Sequence, residues 1–80
     1  MNTQQAILKA MESILGLNAQ EMLENLDIDL FDSGLVDSLA LVTLITQVET
    51  TIGKPIDIKQ IEPENFLTVN RLTAAIDLQR

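Results

Sequence analysis

Apolar residues recur along this chain at helical spacing in three separate runs. The first comprises Ile7, Leu8, Met11, Ile14 and Leu15, with Asn2 and Thr3 as capping candidates before it and Gly16 after it; this pattern predicts an amphipathic helix with one core-facing stripe. The second extends from about Ser38 to Ile52, with Gly53 in the C-cap position and Pro55 preventing continuation. At 100° per residue, Leu41, Leu44, Ile45, Val48 and Ile52 fall within one arc about 100° wide, the width of a buried stripe. Leu39 and Val42 lie on the opposite side among Thr43, Thr46, Glu49 and Thr50, so a core does not account for them. They form a small apolar patch beside Ser38. The third run, Val69, Leu72, Ala75 and Ile76 after Thr68 as cap, predicts a last helix ending close to the C-terminus.

Residues 17 to 37 lack sustained periodicity, although "NAQEMLEN" offers a helical turn or two with Asn18 as its cap. A loop of that length in so small a protein points to function. "GKPIDI" reads as a turn or short extended stretch, and "EPENF", with Pro63 where a first helical residue would sit, predicts one short helix. No segment alternates with the period of a strand, and no repeat or low-complexity stretch interrupts the chain. The expected fold is therefore all-α, a small bundle of three main helices plus one short helix, in a single domain spanning residues 1–80.

Composition narrows the function. Eighty residues approach the lower limit for a self-sufficient core, and the absence of cysteine and histidine removes disulfides, the usual zinc ligands, the strongest common nucleophile and the commonest general base. An independent enzyme is disfavoured. The net charge of −7 repels nucleic-acid phosphates and anionic lipid and points to basic protein surfaces as partners. The N-terminal "MNTQQAILKAMESILG" lacks the pattern of a signal peptide or membrane span, so the expected location is cytoplasmic.

Asp27 and Asp29 alternate as in the start of a calcium loop, but Phe31 stands at the next ligand position, Asp32 replaces the required glycine and Ser38 the final glutamate. The segment reads as a solvated acidic loop. Asp37 and Ser38 at the head of the second main helix are both good caps, and either side chain can do that job. Yet Ser38 also ends the long loop, follows Gly34 by four residues and adjoins the Leu39 and Val42 patch.

The stretch "LFDSGLVDSLALVTLI" resembles the phosphopantetheine attachment region of acyl and peptidyl carrier proteins, and its "GLVDSL" form is most similar to stand-alone carriers of the D-alanyl type. The likeness extends along nearly the whole chain, through the long acidic loop, the "IG" that ends the second main helix and the "TV" and "AAI" of the last. It implies an acyl-carrier-protein-like fold and a non-catalytic protein. On that resemblance a phosphopantetheinyl transferase moves 4′-phosphopantetheine from coenzyme A to Ser38, with Asp37 beside the attachment point, and the arm's thiol carries an acyl or aminoacyl thioester. Leu35, Leu39, Val42, Thr43 and Thr46 then form the surface read by partner enzymes: a loading adenylating ligase and a downstream acceptor. Helix-terminal N–H groups and partial positive charge would favour the phosphodiester.

The chain departs from fatty-acid carriers in the solvent side of the second main helix, which offers Thr43, Thr46, Gln47, Thr50 and Thr51 with Glu49 as its only acid. That favours loading with an amino acid or an unusual acyl group. The competing reading is an unmodified acidic helical domain whose patch binds a partner helix or groove.

Overall fold

The computed structural model describes residues 2–79. Four α-helices, α1 (Thr3–Leu15), α2 (Ala19–Leu23), α3 (Ser38–Ile52) and α4 (Val69–Leu78), are joined by loops that include two 3-10 turns at Ile58–Gln60 and Pro63–Phe66. Each main helix starts where its cap chemistry dictates. Asn2 accepts from the Gln5 N–H while the Gln5 side chain accepts from the Asn2 N–H, a reciprocal box that leaves Thr3 as the first helical residue. Asn18 caps α2 through the N–H groups of Gln20 and Glu21, and Thr68 caps α4 through that of Arg71. Gly53 ends α3 at φ 72°, a left-handed conformation that a residue with a Cβ resists.

The expected short helix at "EPENF" is a 3-10 turn. Pro63 opens it as anticipated, but Glu62 supplies no side-chain cap, and four residues favour the tighter winding of short pieces. Between α1 and α3, Ala19–Leu23 forms the turn or two of helix that "NAQEMLEN" offers, with Asn18 as its cap, and shortens the loop.

α1 is the hub of the bundle, in contact with α3, α4 and α2. Ile7, Met11, Leu44, Ile45, Val48, Val69 and Leu72 are fully enclosed, as their helical spacing requires. Ile14, Leu15 and Ile52 are only half-buried, because each stands in the last turn of its helix at the edge of the core. The irregular segments contribute more than periodicity reveals: Met22, Leu30, Val36, Ile56 and Ile61 are all buried. No buried polar side chain occurs among the described residues, so the side chains of the interior hold together by apolar burial. Among those residues no helix is long and apolar enough to cross a membrane.

Candidate functional site

The loop before α3 is a built structure. Leu30 inserts fully into the core, and its N–H donates to the Leu67 carbonyl at 2.8 Å while its carbonyl accepts from the Val36 N–H at 3.0 Å. Asp29 is half-buried rather than simply solvated, and its carboxylate accepts from the N–H groups of Phe31 and Asp32, fixing the turn that leads to Gly34. Asp27 accepts from the Asn70 side chain, and the Leu26 carbonyl from the Asn70 N–H, so the loop's entrance is tied to α4. Gly34 holds φ 79° and donates to the Phe31 carbonyl; the chain then descends through buried Val36 into the helix.

Asp37, extended at φ −112° and ψ 178°, is the cap of α3, and its carboxylate accepts from the Ala40 N–H at 2.8 Å. Its carbonyl accepts the first intrahelical bond, from Leu41. Of the two capping candidates, the helix uses the first. Ser38 is thereby left as the opening residue of α3, exposed, with a hydroxyl that makes no hydrogen bond among the described residues. The backbone N–H groups of Ser38 and Leu39 are among the first-turn donors that have no helical partner.

A second Asp-Ser pair, Asp32 and Ser33, lies five residues upstream. Its serine is spent structurally: the Ser33 hydroxyl donates to the Leu30 carbonyl at 3.2 Å. Local composition does not distinguish the two pairs, whereas the hydrogen bonding does.

Leu39 is 79% exposed and Val42 51%, so the patch anticipated beside Ser38 exists. Leu35 is half-buried and packs against the core, offering only part of its side chain to that surface. Thr43 and Thr46 are exposed, and their hydroxyls donate to the carbonyls of Leu39 and Val42; Thr50 and Thr51 do the same toward Thr46 and Gln47. With hydroxyls turned onto the helix backbone, these threonines present methyl groups. Glu49, the one acid within the helix, is half-buried and accepts from the Ile56 N–H at 2.8 Å. The outer face of α3 is thus more apolar than its composition suggests, and its one carboxylate is held by the loop at Ile56.

The family that matches the chain is described as "Phosphopantetheine attachment site", and the match covers residues 5–76. The D-alanyl carrier protein of Enterococcus faecalis is 32% identical over 77 residues, 96% of each chain. That of Streptococcus suis is 28% identical over 76 residues, covering 95% of this chain and 92% of the relative, and that of Streptococcus pyogenes serotype M5 is 31% identical over 58 residues, or 72% and 73%. No solved structure gives a significant match. These likenesses favour a carrier over an unmodified interaction domain. With a family match that leaves out only the two ends of the chain, and a relative of equal extent, the protein belongs to the phosphopantetheine attachment family, whose members are carriers bearing that arm.

Proposed function

We propose that Ser38 bears the 4′-phosphopantetheine arm, in an ester between its Oγ and the arm's phosphate, and that the protein carries an aminoacyl group between enzymes. One observation carries this reading: of the two Asp-Ser pairs, only the second leaves its serine hydroxyl unbonded and exposed at the start of a long helix. When bound, the arm supplies a terminal thiol, absent from this cysteine-free chain, on which cargo is held as a thioester. In the attachment step, catalysed by a phosphopantetheinyl transferase, Ser38 Oγ bonds to phosphorus and gives up its proton to the transferase. The nucleotide portion of coenzyme A departs with the electrons of the broken P–O bond. The uncommitted N–H groups of Ser38 and Leu39 and the positive end of α3 favour the phosphate's charge at that position.

Leu39, Val42, Thr43 and Thr46, with the exposed part of Leu35, form the surface on which a loading adenylating ligase and a downstream acceptor enzyme dock. Three features support an amino acid as cargo: the neutral outer face of α3, the tied-back Glu49, and relatives named D-alanyl carrier proteins. The cytoplasm, where coenzyme A and ATP are available, is the proposed compartment. The test is charging of the phosphopantetheinylated protein by a candidate ligase with ATP and each of a panel of amino acids. Label that hydroxylamine releases from wild type, and that never appears on Ser38→Ala, is the expected result. Label on Ser38→Ala overturns the assignment.

A further inference from the structure

The sequence places two interchangeable caps side by side, and the structure uses one of them. If the side chain of residue 37 could not accept a hydrogen bond, the helix would have a ready substitute one residue on: Ser38 in extended conformation, its Oγ accepting from the N–H of Leu41, the third residue beyond it. Two bonds stand against that shift: the side-chain bond from the Ala40 N–H to the Asp37 carboxylate at 2.8 Å, and the backbone bond from the Leu41 N–H to the Asp37 carbonyl at 2.9 Å, whose donor Ser38 Oγ would take over. In the shifted arrangement the hydroxyl would be drawn back over the first turn of α3 and committed to the backbone, as the Ser33 hydroxyl already is to Leu30.

We propose that Asp37 is a positioning residue whose occupation of the cap keeps the Ser38 hydroxyl out of the helix's own hydrogen bonding and open to its modifying enzyme. The consequence for modification rests on the assignment of the arm to Ser38, but the cap competition itself does not. What matters at position 37 is a short side chain that accepts a hydrogen bond; its negative charge is incidental to this role.

Two measurements test it. The first is a double-mutant cycle in urea on the unmodified full chain. With Ser38 present, Asp37→Ala should lower the midpoint by less than half as much as the same change made in a Ser38→Ala background, because Ser38 takes over the cap only where it exists. Equal losses in the two backgrounds would overturn the proposal. The second is the rate of phosphopantetheine transfer from coenzyme A by a broad-specificity transferase. Asp37→Ala should slow it by roughly 2- to 30-fold, the strength of a helix cap expressed as a ratio of populations. Asp37→Asn, which keeps the cap without the charge, should restore the rate to within about twofold of wild type. An Asn variant as slow as the Ala variant would mean that the carboxylate acts on the enzyme directly, and would overturn the positioning role. If wild type itself accepts no arm, the assignment of Ser38 fails, and the urea cycle still decides the cap competition.

Discussion

The Asp37 carboxylate accepts from Ala40 while the Ser38 hydroxyl makes no bond, and this division of labour between neighbouring side chains sets what a single substitution will do. Because Asp37 holds the cap, Ser38→Ala removes an exposed oxygen that the fold does not use. Its unfolding free energy should stay within about 0.5 kcal/mol of wild type, as for surface changes away from special features. A urea melt checks this, and a loss above about 1 kcal/mol would mean that Ser38 is the working cap. At Gly34 the outcome reverses. Space is open where a Cβ would stand, yet φ 79° is left-handed, so Gly34→Ala should cost about 1–2 kcal/mol from backbone strain alone. Thermal melts of Gly34→Ala against wild type would register that difference. At this scale the sequence named the right pair of residues without ranking them, since aspartate and serine are equally good caps and the choice depends on where the loop delivers the chain.

Among the elements, α3 carries two stripes with opposite fates. Leu44 is fully buried, and Leu44→Ala should cost about 2–5 kcal/mol, while Val42→Ala on the outer stripe should cost less than about 1. Urea melts in which Val42→Ala proved the more damaging would contradict the facing of the helix. Leu30 belongs with Leu44 although it sits in a loop. Leu30→Ala should also lose about 2–5 kcal/mol, a large share of the roughly 4–12 kcal/mol expected of 80 residues. The facing of α3 was legible because a 3.6-residue period separates Leu41, Leu44, Ile45 and Val48 from Leu39 and Val42. Leu30 and Val36 have no period: Leu30 is fixed by a bond to Leu67, far along the chain and outside any local window, and Val36 is held in turn by its bond to the Leu30 carbonyl. The backward-bonded threonine hydroxyls were equally out of reach: composition counts a threonine as polar whichever way its hydroxyl points.

Across the whole molecule, charge is unevenly distributed. No lysine or arginine occurs between Lys9 and Lys54, a stretch that holds eight of the twelve acids and includes both the loop before Ser38 and α3. On the proposed docking surface, such a field would steer a basic partner from a distance, while the methyl-rich face of α3 would govern the close contact. At physiological ionic strength the Debye length is already about 8 Å, so added salt has little long-range attraction left to remove. Leu39→Glu and Val42→Glu should each reduce ligase loading by at least about tenfold, through a carboxylate desolvated at an apolar contact. Several-fold more salt should reduce wild-type loading by far less. A steep salt dependence with little effect of either substitution would mean that charge carries recognition. All of this presupposes an arm on Ser38, and the most direct test is mass spectrometry of the chain coexpressed with a broad-specificity transferase, intact and then fragmented. The account predicts a single added phosphopantetheine that fragmentation confines to Ser38, with none on Ser33 or Ser13. An unmodified mass, or the added group on any other residue, would contradict it.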